Sequence, residues 1–289
     1  MKITKAVIPA AGYGTRMLPL TKALPKEMVP IVDKPSIQLI AEEAAASGIT
    51  DILVIVSRGK ELIENHFDRS PELEQKLSAS GKSRELEELL GISGLANFYF
   101  LRQPEMRGLG AAVALARGFT GQEPFAVLYG DDVILGEPPA TRQLLDAYEA
   151  TGMGVCGIKE VLPEQISRYS SLKVEKTDRE RWYRVTDMIE KPAPGQEYSL
   201  FSILGRVVLP PEIYGILEQT APGAGGEIQL TDAMRELCRR SGMAGVDFIG
   251  RRYDMGNKLE VAKANVEQGL SHPEIGPAFR EYLKNLDLS

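Results

Sequence analysis

The sequence predicts an α/β fold: a mixed, mostly parallel sheet flanked by helices, with an antiparallel extension. Three observations predict it. Short, fully apolar strands alternate with helical stretches through the first half, the pattern of a parallel sheet covered on both faces. The second half holds four strand-like runs with fewer helices between them, which fits an antiparallel extension of the same sheet. No Gly/Ser linker and no internal repeat divides the 289 residues, so one large α/β domain accounts for a length that also allows about two.

The elements follow in order. Residues 3–8 form a buried strand, followed by a Gly-rich turn and a long Pro-containing segment over 9–35. Ser36 is expected to cap the next helix. The apolar face of that helix is Ile37, Ile40, Ala41 and Ala44, at 3-4 spacing, and Gly48 is its expected stop. Residues 52–56, all β-branched or Leu, are the second strand. Residues 60–67 and 71–90 are charged and helical in pattern. A third strand at 98–101 precedes an Ala-rich helix at 108–117. A fourth strand at 125–129 ends in Gly130-Asp131-Asp132. Strands are then expected at 153–159, 171–176, 181–189 and 200–209, and helices at 211–219, 229–241, 258–269 and 276–285.

Composition excludes several function classes. An ordinary globular mix, 43% apolar and 26% charged, excludes a disordered scaffold. A net charge of −6 argues against a nucleic-acid partner but leaves room for a local basic cluster around a small anion. Cys156 and Cys238 without a CxxC exclude a disulfide framework or zinc ribbon. His66 and His272 alone make His-based metal or triad chemistry improbable. No apolar run approaches the roughly 20 residues of a membrane span, and Met1-Lys2-Ile3-Thr4-Lys5 opens no signal-peptide apolar region. The expectation is a soluble, cytoplasmic protein with no membrane partner.

Ala10-Ala11-Gly12-Tyr13-Gly14-Thr15-Arg16 follows the first strand directly. Its glycines let backbone approach a ligand, and successive N–H groups can form an anion nest. It is neither a Walker loop nor a dinucleotide fingerprint, since no Gly-Lys-Ser/Thr and no third glycine follow. An ordinary strand-to-helix turn would use the same glycines. Arg16, and Lys26 in Pro25-Lys26-Glu27-Met28, tilt the balance toward a polyphosphate clamp.

Gly12-x-Gly14-Thr15-Arg16-Met17-Leu18-Pro19 with Pro25-Lys26-Glu27-Met28 resembles the bacterial UTP–glucose-1-phosphate uridylyltransferases, a branch of the sugar-nucleotide nucleotidyltransferases. The similarity runs over nearly the whole chain. It implies a Rossmann-like fold of the nucleotide-diphospho-sugar transferase type, in one domain over 1–289. Residues 1–150 would form the nucleotide half, 151–257 the sugar-phosphate half and 258–289 the C-terminal helices. It also implies nucleotide contacts from Ala10, Ala11, Gly12, Gly14 and Thr15, with Glu27 and Asp132 beside them. In Gln103-Pro104-Glu105-Met106-Arg107-Gly108, the resemblance makes Gln103 and Gly108 the readers of the pyrimidine. A Gln side chain offers the donor and acceptor that a uracil edge needs.

The same resemblance assigns Mg2+ to Asp131 and to Asp254 of Arg252-Tyr253-Asp254-Met255-Gly256-Asn257-Lys258. Two carboxylates plus phosphate oxygens and water suit that hard cation. Glu190 of Glu190-Lys191-Pro192 would hold sugar hydroxyls, with Tyr169, Ser170 and Gly205 nearby, and Lys191 the sugar phosphate. Pro222-Gly223-Ala224-Gly225-Gly226-Glu227-Ile228-Gln229-Leu230-Thr231-Asp232 nearly reproduces a family signature, in which Thr231 or Asp232 is expected to cap or polarise a helix. Departures lie mainly on the sugar side. Ser170 stands where the family has Gly and Leu200 where it has Asn, while Ala111 replaces a common His. They predict weakened use of glucose 1-phosphate or a shifted sugar preference.

The implied reaction joins UTP and glucose 1-phosphate to give UDP-glucose and pyrophosphate, with Arg16, Lys26 and Lys191 as catalytic residues. The expected assembly is a homo-oligomer, dimer or tetramer. A thymidylyl- or uridylyltransferase for another sugar, or a non-catalytic nucleotide-sugar-binding paralogue, are the alternatives. The intact charged set Arg16, Lys26, Asp131, Asp254 and Lys191 speaks against the last.

Overall fold

The computed structural model describes residues 2–287; residue 1 and residues 288–289, which the expected domain span includes, lie outside the described residues. The described strands are, in chain order, β1 (Lys5–Pro9), β2 (Pro30–Ile31), β3 (Lys34–Pro35), β4 (Asp51–Val56), β5 (Asn97–Arg102), β6 (Phe125–Leu128), β7 (Asp132–Leu135), β8 (Gly154–Glu160), β9 (Ser170–Lys176), β10 (Trp182–Glu190), β11 (Phe201–Leu209), β12 (Met243–Asp247) and β13 (Arg251–Asp254). Nine of them form one sheet in the order β5-β4-β1-β6-β11-β8-β12-β10-β9. The first four are mutually parallel. β11 runs antiparallel to both β6 and β8, and β10 antiparallel to β12 and β9. The antiparallel extension is therefore continuous with the parallel half.

Burial explains the apolar strands. In β4, Ile52, Val54 and Val56 face one core, while Leu53 and Ile55 face the other. β6 divides the same way, with Ala126 and Leu128 on one face and Phe125 and Val127 on the opposite. Both faces are dry, so side chains on each must be apolar, and the run has no polar alternation. The helix Ser36–Ala46 lays Ile37, Ile40, Ala41 and Ala44 on the first core, as its spacing predicts.

Several expectations need correction. Ser36 is the first helical residue and Pro35 the cap position; the Ser36 hydroxyl donates to the Glu27 carbonyl at 2.8 Å instead. The Ala-rich stretch splits into Leu109–Ala114 and Arg117–Thr120. The break falls where the Leu115 and Ala116 amides bond carbonyls three residues back, at 3.1 and 3.0 Å, tightening the turn. Segment 9–35 contains three short 3₁₀ turns and the β2–β3 hairpin. Besides the β2–β3 hairpin, three strands were not foreseen. β12 inserts parallel to β8 although its sequence, Met-Ala-Gly-Val-Asp, is poor in strand formers. β7 and β13 pair only with each other, through partners far apart in the chain.

Candidate active site

Four parallel strands end on one edge of the sheet, where open α/β sheets bind ligands. The loop after β1 carries Ala10 to Arg16 and the loop after β4 carries Ser57 to Lys60. The loop after β5 carries Gln103 to Gly108, and the turn after β6 carries Tyr129 to Asp132. Two cavities open among these loops. One, of about 450 Å³, is walled by Ala11, Gly12, Gly14, Thr15, Lys26, Gln103 and Gly108 among others. The second, of about 650 Å³, is walled by Arg16, Tyr169, Ser170, Glu190, Lys191, Arg252 and Asp254 among others. They share Leu109, Tyr129 and Asp131.

Backbone shape dictates two glycines of the smaller cavity. Gly14 has φ +67°, and a Cβ there would stand 3.0 Å from the Lys26 Cβ. Gly108 has φ +99°, and its Cβ would meet the Glu227 Cβ at 2.7 Å. The signature segment before the helix Leu230–Ser241 presses that close: the Ile228 amide donates to the Arg107 carbonyl at 2.8 Å, and the Gly110 amide to the Ile228 carbonyl at 2.9 Å. A side chain at Gly108 would push this wall away, and one at Gly14 would crowd Lys26 and Thr21.

Charge concentrates at the junction. The Lys26 ammonium lies 2.6 Å from Asp131 Oδ2. The Arg16 guanidinium reaches Asp254 at 3.2 Å and Asp131 at 3.7 Å. Residues this distant in sequence meet because β13 pairs antiparallel with β7, setting Asp254 opposite Asp132, and the Met255 amide donates to the Asp131 carbonyl at 2.8 Å. Burial works against the charge on Lys26, but Asp131 and Glu27 outweigh it and hold the ammonium above its ordinary range. Burial likewise disfavours ionised Asp131, and Lys26 and Arg16 overcome it, leaving that carboxyl below its usual value. Asp132 differs. Burial pushes it up to about 6, despite Arg252 at 2.7 Å, with Asp131 and Asp254 adding repulsion.

In the larger cavity Glu190 ends β10 and accepts a hydrogen bond from the Thr231 hydroxyl at 2.7 Å. Burial raises its carboxyl above the ordinary range, against the Thr231 bond and nearby Lys191. Lys191 sits at φ +47°, a strained value for a non-glycine residue, and its amide donates to the Tyr169 carbonyl at 2.9 Å. Among the described residues its ammonium has no ion-pair partner. The Arg252 guanidinium lies 5.3 Å from the Tyr169 ring centroid.

The structure gathers Arg16, Lys26, Asp131 and Asp254 at the junction. It places Ala11, Gly12, Gly14, Thr15, Gln103 and Gly108 around the smaller cavity, and Tyr169, Ser170, Glu190 and Lys191 around the larger. Ala10 and Glu27 lie behind the wall; Glu27 is fully buried against Lys60 at 2.7 Å. Asp132 faces the larger cavity, not the smaller. Gly205 lines neither cavity. Its φ is +73°, and a Cβ there would strike Asp132 at 2.7 Å, so it makes room for that carboxyl. Ala111 and Leu200 also line neither. The Ser170 hydroxyl is engaged sideways, accepting from the Ile203 amide at 3.1 Å and facing the Ser202 hydroxyl at 3.3 Å. Gln229 takes the cap position of helix Leu230–Ser241, which frees Thr231 for Glu190.

Sequence reasoning missed Lys60, Arg252, Thr231 and Tyr129 as site residues. Arg252 and Thr231 stood inside quoted motifs, and the acid two residues after Arg252 was a usable signal. Lys60 had none, since its partner Glu27 lies 33 residues away.

Comparison with known proteins follows the same lines. The Nucleotidyl transferase family profile matches residues 5–268. The chain is 50% identical over 285 residues to a UTP–glucose-1-phosphate uridylyltransferase of Bacillus subtilis (strain 168), covering 99% of this chain and 96% of that protein. A solved UTP-bound UGPase from Acinetobacter baumannii superposes with TM-score 0.88 at 33% identity, covering 99% of this chain and 100% of that one. A UDP-glucose pyrophosphorylase complexed with UDP-glucose superposes with TM-score 0.84 at 36% identity, covering 92% and 98%.

Proposed function

The chain belongs to the nucleotidyl transferase family, and from that premise we propose that it joins UTP to glucose 1-phosphate, giving UDP-glucose and pyrophosphate. One observation carries the reading. A cavity lined by Gly12, Gly14, Gly108 and Gln103 meets a cavity lined by Glu190 and Lys191 at a single carboxylate, Asp131, ringed by Arg16 and Lys26. UTP fits the smaller cavity and the sugar phosphate the larger, with the α-phosphorus at their junction.

An oxygen of the sugar phosphate attacks the α-phosphorus, and the bond to the β-phosphate oxygen breaks in line. The electron pair leaves with pyrophosphate, whose charge Arg16 and Lys26 neutralise. Lys191 holds the attacking phosphate, and Glu190 accepts from sugar hydroxyls. Two anions must meet, so alignment and charge neutralisation carry the catalysis. No side chain needs to move a proton.

Enzymes of this family generally use a divalent metal, and the metal we infer is magnesium. Among the described residues no three His, Cys, Asp or Glu side chains cluster as a closed metal site. Asp131 and Asp254 do converge on one cation, the Arg16 guanidinium. Two carboxylates fit an ion that keeps waters and takes phosphate oxygens as its other ligands. Those residues would hold it, and bound there it would offset negative charge on phosphate oxygens.

We further infer one nucleotidyltransferase domain, located in the cytoplasm where nucleoside triphosphates are available. No described helix is long and apolar enough to cross a membrane. A homo-oligomer is supported by Tyr99 and Leu101, exposed on the edge strand β5. Pyrophosphate release, measured with UTP and dTTP against glucose, galactose and N-acetylglucosamine 1-phosphates, tests the reaction. UTP with glucose 1-phosphate should be the best pair; no release from it would sink the proposal.

A further inference from the structure

The loop after β1 is tied down by two side chains that the reaction itself does not use. Lys60, 6% exposed, donates from Nζ to the Ala10 carbonyl and, at 2.7 Å, to Glu27 Oε2. Ser57, also buried, donates its hydroxyl to the Ala11 carbonyl at 2.8 Å. Both come from the loop after β4, the strand parallel to β1. The Ala10 amide is itself fixed, donating to the Ile55 carbonyl at 2.8 Å.

A trans peptide sets each C=O antiparallel to the N–H that follows it. The peptides Ala10–Ala11 and Ala11–Gly12 are both trans. Drawing the Ala10 and Ala11 carbonyls inward therefore turns the Ala11 and Gly12 amides outward. Both residues line the smaller cavity. Among the described residues, neither amide has an acceptor in the protein. Ala11 is buried and Gly12 exposed. A buried backbone donor seldom goes unpaired, so the Ala11 amide facing the cavity calls for an oxygen from outside the chain, with the Gly12 amide beside it as a second donor.

We propose that Ser57 and Lys60 are positioning residues that aim the Ala11 and Gly12 amides at an oxygen of the bound nucleotide, preorganising the pair before UTP arrives. The inference rests on the nucleotide reading of that cavity. Donors already oriented lose no freedom on binding, so the energy of both bonds appears in affinity. Glu27 completes the device. It is buried and pairs with Lys60, and its Oε1 has no partner among the described residues. The acid therefore serves the lysine and not the ligand.

The test is equilibrium binding of UTP to the full chain without sugar phosphate, beside the KM for each substrate. Ser57→Ala frees the Ala11 carbonyl to rotate, and UTP binding is expected to weaken about tenfold. The KM for glucose 1-phosphate should stay at the wild-type value, a split that general loosening of the fold would not give. Lys60→Met should weaken UTP binding more than Ser57→Ala does. If that variant fails to fold because Glu27 is left unpaired, Ser57→Ala decides alone. Uridine and tripolyphosphate serve as separate probes. A loss confined to uridine puts the accepted oxygen on the nucleoside, base or ribose, and a loss confined to tripolyphosphate puts it on the phosphates. Undiminished UTP affinity in Ser57→Ala, or an equal rise in both KM values, overturns the inference. A wild-type chain that binds no UTP overturns the nucleotide reading, and the nest with it.

Discussion

The two cavities are built by different means. The smaller has three glycines, Gly12, Gly14 and Gly108, in its wall, where the backbone comes to the surface of the cavity, and Ser57 and Lys60 brace the first loop from below. The larger is walled by side chains from separate segments, with Glu190 held by Thr231, Arg252 by Asp132, and Lys191 without an ion-pair partner among the described residues. Backbone recognition tolerates few substitutions, because a Cβ at Gly14 or Gly108 collides with its neighbours. Side-chain recognition can drift residue by residue while the frame stands. The departure at Ser170, in the larger cavity's wall, fits that contrast; Leu200 lines neither cavity.

The sharpest test falls at the junction. Lys26→Ala should lower turnover by about 10²–10³ and raise the KM for UTP more than that for the sugar phosphate. Lys26 is largely buried against Asp131, so stability should also fall, by about 1–3 kcal/mol. A melting curve beside single-turnover rates separates the two effects. Full turnover per folded molecule would remove Lys26 from the chemistry.

Next in size is the metal. Asp131→Asn keeps the shape but loses a charge that favours a hard cation. The magnesium concentration for half-maximal rate should rise by at least about tenfold, with chelator abolishing wild-type turnover. Unaltered rates in excess chelator would contradict the two-carboxylate reading.

A smaller effect should distinguish the cavities by pH. Glu190 accepts hydrogen bonds most strongly when ionised, and burial raises its carboxyl above the ordinary 4.3 or so. The kcat/KM for glucose 1-phosphate should therefore climb as pH rises through that raised value and be lost below it. UTP binding should show no such limb. Glu190→Gln should erase the limb and lower sugar kcat/KM by roughly tenfold to a hundredfold. A profile unchanged by that substitution would take Glu190 out of sugar recognition.

The smallest effect is expected at Leu200. It lines neither cavity, so Leu200→Asn should change sugar kcat/KM by less than about twofold. A large gain for glucose 1-phosphate would show that the loop reaches the sugar after all and would restore the expected loss of an amide contact.

The parallel half was legible because β1, β4, β5 and β6 are apolar on both faces, which the sequence states outright. The glycine turns after β1 and β5 were legible for a related reason. Gly14 and Gly108 stand at positive φ, and glycine is the residue that such backbone requires. β12 was not legible. Its Ala and Gly gain their strand from neighbours on both sides, a property of the sheet and not of the segment. Thr231 looked like a helix cap because caps and buried hydroxyl donors use the same residue types.

The sequence by itself determined the sheet's double-sided core, the glycine positions of the loop after β1 and the identity of the charged groups. These depend on local backbone needs and on burial, both written in residue type. Tertiary structure alone decided which charges meet. Asp254 shares Arg16 with Asp131 only because β13 pairs with β7, and Lys60 reaches Ala10 only because β4 lies beside β1. Pairings between distant segments depend on how the chain is threaded, and Coulomb and hydrogen-bond energies fall off within a few ångströms. A residue's partner can therefore be assigned only after the fold has brought it near.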